Sequence, residues 1–281
     1  MNLILQILFR IALLGGFALT PTFAAGLPSH FPVPGGVAVL ELPEEVDQSI
    51  VGQPIARFGS QPLMVVSDSN RWRALVGLPC RILPGNYIVN YETPQAETGV
   101  IDLRVLPIAH GCTDKPYRLS GKLANVTVLN SVFQSSELRS AIAAETVQDP
   151  FVAGFEFIIM AEARLTIPYG MLIQNRKLHR HDYVSYLTHP NALVYTPADV
   201  TVASILEDDR AYRTVLLSHG SGIYSVVSHI KNLQVQAGQT LQAGEVLGSA
   251  STLSGIGLGK VDWALMMNGN RINPLQFPDP S

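Results

Sequence analysis

Hydrophobic and polar positions alternate in short runs over most of the chain, a pattern that predicts β-strands. Between Pro34 and Pro116 the runs are GGVAVLEL, PLMVVSD, RWRALVGLPC, NYIVNYE and GVIDLRVLP, each bounded by Pro, Gly, Asn or Asp. Their spacing predicts a β-sandwich-like domain over residues 28–116, with Trp72 as a core anchor. A helical period stands out once, in SSELRSAIAAETVQ. Ser135 or Ser136 can cap that helix, Glu137 lies in its first turn, and Leu138, Ala141 and Ile142 share one face. With ANVTVLN before it as a strand and Pro150 after it as a stop, residues 117–150 read as a linker. From FEFIIMAEARLTI onward the β pattern resumes, so residues 151–281 form a second domain. There Ala237-Gly238 and Ala243-Gly244 mark tight turns, and Asn268-Gly269-Asn270 marks a hairpin. The expected fold class is mainly β: an N-terminal sandwich-like domain and a C-terminal antiparallel domain joined by one helix.

Composition supports a folded chain and narrows its partners. The 281 residues are 47% hydrophobic and 15% charged, enough apolar material for a real core. A net charge of −3 without a basic stripe argues against nucleic acid as the main partner. Residues 1–24 read as a signal peptide: Arg10 precedes an apolar run, and Thr22-Phe23-Ala24 places small residues at −3 and −1 of a cut. The run is short for a spanning helix and holds Gly15, Gly16 and Pro21; a retained anchor is the alternative. Export to the periplasm or cell envelope, with no membrane association after cleavage, would put Cys80 and Cys112 in an oxidising compartment. A disulfide between them would add ~3 kcal/mol by restricting the unfolded chain; two independent buried thiols are the alternative.

Candidate chemistry gathers in the second domain. His179, His181, His189, His219 and His229 fall within about fifty residues, a density that raises a metal site. The succession YGM…HRHDYVSYLTHPNALVYTPADV, LLSHGSGIYSVVSHIKNLQVQAGQTLQAGEVLGS and GKVDWALMMNGNRINPLQF resembles the lysostaphin/LytM-type zinc endopeptidases, which cut peptidoglycan cross-links. The resemblance covers Tyr169 to Phe277. The N-terminal half also looks like the β domain that precedes such peptidases in some exported bacterial proteins.

What the resemblance implies for the site is a departure from the family pattern. The family binds zinc through a His-x-Gly-x-Asp motif and the second His of a His-x-His pair. The first His of that pair, and the His of a Tyr-x-His-Leu motif, assist water attack. Aligned without gaps, the ligand His falls on His181, but the Gly falls on Tyr183 and the ligand Asp on Ser185. The His-x-His pair falls on Lys260-Val261-Asp262, and the remaining assisting His on His229, which is kept. A shifted alignment would pair His179 with Asp182 instead. Zinc needs deprotonated N, S or O ligands, and Lys260 offers none. Because residues i and i+2 of a strand share a face, Lys260 and Asp262 both point where the metal would lie. An ammonium ~4 Å from a dication costs about 8 kcal/mol at an effective dielectric of ~20. The expectation is a Lys260–Asp262 pair in the metal position, with no cofactor, or zinc if the site works after all. Three functions follow from the resemblance: a catalytically degenerate envelope protein that binds peptidoglycan or a cell-wall hydrolase, an active zinc endopeptidase, or an inert structural module.

Overall fold

The computed structural model describes residues 27–43, 52–68, 71–107, 112, 114–118, 135–144, 163–174, 178–207, 212–253 and 257–277. The expected signal segment, the expected strand ANVTVLN, Pro150 and most of FEFIIMAEARLTI lie outside these residues. The described chain is mainly β, with antiparallel sheets, as its alternating pattern predicts.

The N-terminal strands are β1 (Val37–Glu41), β2 (Ile55–Phe58), β3 (Gln61–Pro62), β4 (Met64–Asp68), β5 (Arg71–Gly77), β6 (Gly85–Glu92) and β7 (Thr98–Val105). They form a three-stranded sheet, β1-β5-β4, and a four-stranded sheet, β3-β2-β6-β7. Ala38, Val76, Leu78, Val89 and Leu103 share the core between them. Each of these residues alternates with a neighbour facing the other way, as a sandwich core requires. Trp72 is only half-buried and packs at the edge of this core, so the aliphatic side chains anchor it instead. The β2–β3 hairpin was not apparent in the sequence pattern; it is too short and too polar to show a period.

The connecting elements are β8 (Pro116–Tyr117) and helix α1 (Ser136–Ala144). Ser135 Oγ accepts the Leu138 N–H at 3.1 Å, which satisfies one of the free donors of the first turn. The expected cap is therefore present, and Leu138, Ala141 and Ile142 form the packing face.

The C-terminal half holds β9 (Ala163–Ile167), β10 (Met171–Gln174), β11 (Leu178–His181), β12 (Val184–Thr188), β13 (Leu193–Tyr195) and β14 (Val200–Glu207). It continues with β15 (Arg213–Gly220), β16 (Ile223–Lys231), β17 (Thr240–Leu241), β18 (Val246–Thr252), β19 (Gly259–Met267) and β20 (Asn270–Ile272). Its main sheet runs β17-β14-β15-β16-β18-β19-β12-β9. Strand β16 first pairs with β19, from Ile223↔Met267 to Ser228↔Asp262, and then with β18 at Ile230↔Ala250. Strand β19 likewise pairs with β18 at Ser251↔Lys260. The sheet thus forks at Ser228 and Asp262, where β18 enters between its two neighbours. Asn268 and Gly269 turn β19 into β20 with φ of 51° and 72°, the doubly positive geometry that suits an Asn-Gly hairpin.

That hairpin also joins the two halves. Gly77 N–H donates to Asn268 Oδ1 at 3.0 Å, and Asn270 Nδ2 donates to the Gly77 carbonyl at 3.0 Å. A Cβ at Gly77 would fall 2.8 Å from the Met267 carbonyl oxygen, so only glycine permits this approach. Val37, Met64 and Leu75 of the sandwich lie in one core cluster with Leu265, Met267 and Ile272. Cys80 and Cys112 are joined in a disulfide beside this junction. No helix among the described residues is long and apolar enough to cross a membrane.

Candidate functional site

The fork in the sheet gathers polar side chains that strand alternation alone would scatter. Lys260, Asp262, Ala264 and Met266 lie on one face of β19. Register places Ser185 of β12 on one side of Asp262 and Ser228 of β16 on the other. His229 follows Ser228 and by alternation would face away. Instead a bulge opposite Thr214 sets its φ at +66°, and Nδ1 comes to 3.4 Å from Asp262 Oδ2. Bulges commonly re-aim side chains in this way beside functional sites.

The cluster closes around Asp262, which is fully buried, as Lys260 nearly is. Lys260 Nζ lies 2.9 Å from Asp262 Oδ2, and Ser185 Oγ donates to Oδ1 at 2.5 Å. Since a carboxylate can only accept, the single Ser185 proton is used there, and its oxygen accepts from His181 Nε2–H at 3.2 Å. His181 Nδ1 is buried with no hydrogen-bond partner, and its ring lies 3.8 Å from that of Tyr183. Beyond the fork, Thr214 Oγ1 donates to Ser228 Oγ at 2.8 Å. Ser251 Oγ, on the residue opposite Lys260, is buried without a partner.

Electrostatics follow from this packing. Burial alone would raise the Asp262 carboxyl, but the Lys260 ammonium, then His229, then the Ser185 hydrogen bond outweigh it and hold it below the usual carboxylate range. His181 is pushed down to about 3, chiefly by burial and against the pull of Asp262; Lys260 and His179 add to the lowering. The imidazole is therefore neutral and the carboxylate charged at neutral pH.

The sequence-matched residues His181, Ser185, His229, Lys260 and Asp262 are thus brought together. The shifted pair is not: Asp182 accepts from Arg271 at 2.8 Å instead. His179 has neither ring nitrogen hydrogen-bonded. His189 is exposed in the turn after β12, and His219 lies apart, 2.8 Å from Ser225 Oγ. Ser228, Thr214 and Ser251 were missed, since strand register, invisible in the pattern, sets Ser228 beside Asp262 and Ser251 opposite Lys260, and Thr214 joins through Ser228.

A zinc ion fits these side chains poorly. His181 presents a donor proton to Ser185 rather than a lone pair to a metal, the Ser185 hydroxyl is bound to Asp262, and Lys260 brings a positive charge. Among the described residues no group of three His, Cys, Asp or Glu side chains is arranged to hold a metal.

The same face changes character along β19. Past Asp262, Ala264 and Met266 join Tyr224, Val226, Leu216 and Tyr183, and α1 lays Leu138 across them. Leu138 is 2% exposed, so the helix seals this stretch. The sequence made α1 a connector; the structure makes it a cover.

Comparison with known proteins agrees with the fold. Residues 179–274 match the model of peptidase family M23, and residues 30–101 match that of the peptidase family M23 N-terminal domain. Together the two spans take in more than half of the chain. An uncharacterized metalloprotease of Haemophilus influenzae is 29% identical over 130 residues, 43% of this chain and 26% of the relative. The match therefore spans about a quarter of that relative's length. The crystal structure of an M23 peptidase from Pseudomonas aeruginosa superposes with a TM-score of 0.64 at 21% identity, covering 88% of this chain and 94% of that one. At that identity the likeness is one of fold. Two family matches in the expected order, on an architecture shared along nearly the whole of a solved relative, establish that the chain belongs to peptidase family M23, the lysostaphin/LytM-type peptidases.

Proposed function

We propose that this protein is an exported, cell-envelope member of family M23 whose peptidase site is catalytically degenerate, and that it binds peptidoglycan or regulates a wall hydrolase. The buried Lys260–Asp262 ion pair carries this reading. An ammonium at 2.9 Å neutralises the carboxylate that would otherwise attract a metal, and the neighbouring Ser185 and His181 extend the pair into a hydrogen-bonded chain. Helix α1 supports it as well, because an extended substrate laid along β19 would have to displace Leu138. The disulfide is consistent with export, since such bonds persist in oxidising compartments.

The test uses the purified, disulfide-bonded protein. Zinc retained after dialysis should fall far below one equivalent, isolated peptidoglycan should not be cleaved, and the protein should co-sediment with peptidoglycan or raise the activity of a wall hydrolase. Stoichiometric zinc, with cleavage abolished by His181→Ala, would make it an active zinc endopeptidase. Neither binding nor an effect on a hydrolase would leave an inert structural module.

A further inference from the structure

Strand β7 ends the sheet β3-β2-β6-β7 and pairs there with β6 alone. Which of its backbone groups face outward follows from the hairpin that leads into it. Thr93 N–H donates to the Glu97 carbonyl at 2.8 Å, so Thr93 and Glu97 form a bonded pair just beyond Glu92↔Thr98. Bonded and non-bonded pairs alternate along an antiparallel ladder. Gly99, Ile101, Leu103 and Val105 are therefore bonded to β6, and the N–H and C=O groups of Thr98, Val100, Asp102 and Arg104 point away from it. Leu106 has the same parity, and its N–H does point outward, to the Pro32 carbonyl at 2.8 Å.

Pro32 thus closes the edge at Leu106 and leaves it open from Thr98 to Arg104. Thr98, Val100, Asp102 and Arg104 are all exposed, Val100 by 60%. Neither these side chains nor that of Glu92, opposite Thr98 on β6, has a hydrogen bond or ion pair among the described residues. An open edge of this length is a template for another strand.

We propose that β7 pairs antiparallel with β7 of a second copy of this chain, joining two four-stranded sheets into one. Bonded pairs must match outward residues with outward residues. The ladder that uses all of them sets Thr98 opposite Arg104 and Val100 opposite Asp102, about a two-fold axis at Ile101. It stops short of Pro32, because the next partner residue, Ala96, already turns back, its N–H bonded to the Thr93 carbonyl at 2.9 Å.

Charge agrees with this register. Arg104 falls beside Thr98 of the second copy, and the second copy's Glu92 is next in the same row on the same face. Their backbones are then two strand spacings apart, ~10 Å, a span that extended arginine and glutamate side chains bridge. The contact occurs twice by symmetry. Asp102 lies directly opposite Val100 rather than another carboxylate. The proposal does not depend on the reading of the Asp262 site.

Analytical ultracentrifugation of the full, disulfide-bonded chain up to millimolar concentration tests it. The mass should double as concentration rises, and the Val100 and Asp102 amides should exchange with solvent more slowly in the dimer. Arg104→Glu should weaken association about tenfold, since it sets like charges together at both contacts. Arg104→Glu with Glu92→Arg should restore it, and Arg164→Glu, at an exposed arginine of β9, should leave it unchanged. Val100→Pro removes only an outward N–H, so the bonds to β6 should survive and the dimer should not. A monomer at every concentration would overturn the proposal and leave the edge to a strand of another protein. So would a dimer that persists in a folded Val100→Pro chain, or a double charge variant that associates no better than Arg104→Glu alone.

Discussion

Strands β16 and β19 carry a buried polar cluster on each face, and the two are built on different principles. On one face Ser225 Oγ receives the Trp263 indole N–H at 3.0 Å and meets His219 Nε2 at 2.8 Å. That set is neutral, with His219 pushed down to about 3 by burial. On the other face Lys260 and Asp262 are buried as ions. A neutral cluster needs only its hydrogen bonds satisfied, whereas a buried ion pair must be complete, since either ion alone faces a desolvation cost of several kcal/mol. The stability of the charged face therefore depends on both ions being present.

The largest effect should come from breaking the pair. Lys260→Met is expected to destabilise the protein by ~3–5 kcal/mol, and Lys260→Met with Asp262→Leu to recover most of that loss, as measured by urea unfolding. A Lys260→Met protein as stable as the parent would remove the contrast between the faces.

Next is the converse change. Ser185→Asp with Lys260→His and Asp262→His replaces the ammonium by ligand-type side chains. Zinc at ~1,000 times the dissociation constant should then stabilise the variant by about 4 kcal/mol and leave the parent unchanged, as read from thermal melts with and without metal.

Acid should act on both faces. His181 and His219 have folded-state values near 3, below the ordinary 6.5. Their contribution is complete above pH 6.5 and declines as pH falls toward 3, by up to about 1.4 kcal/mol per pH unit for each imidazole. Asp262, also held low, adds its own loss only below the ordinary carboxylate range. Melts between pH 7.5 and 4 should show the decline, and His219→Gln should remove about half of the slope due to this pair.

The smallest effect belongs to the neutral face. Ser225→Ala removes the oxygen shared by Trp263 and His219 and should cost ~1–3 kcal/mol in chemical unfolding at neutral pH. A cost matching that of Lys260→Met would show that charge is not what distinguishes the faces.

What the sequence disclosed was largely local. The Ser135 cap, the Asn268-Gly269 turn and the glycine turns at Gly238 and Gly244, both with positive φ, each follow from a few adjacent residues. The closeness of Lys260 and Asp262 also follows, from the two-residue period of a strand. The rest depended on contacts between distant segments. Ser185 meets Asp262 through register across 77 positions, His229 reaches it through a bulge, and Leu138 covers Met266 by a packing choice that the periodicity of α1 leaves open. The period shows that a helix has an apolar face, but not which surface receives it.

The bond from Gly77 to Asn268 spans 191 residues. During synthesis the sandwich strands are made first, and the hairpin they grip is made only after strands β8 to β18. The contact therefore forms late, although the entropy of closing so large a loop rises only logarithmically with its length. Until Asn268 and Asn270 arrive, the Gly77 amide and carbonyl lack these side-chain partners at the end of β5, past its pairing with β4 at Leu75. Folding of the two halves is then coupled in time, and a chain truncated before Asn268 should leave the Gly77 end of β5 without these partners rather than release an independently finished sandwich.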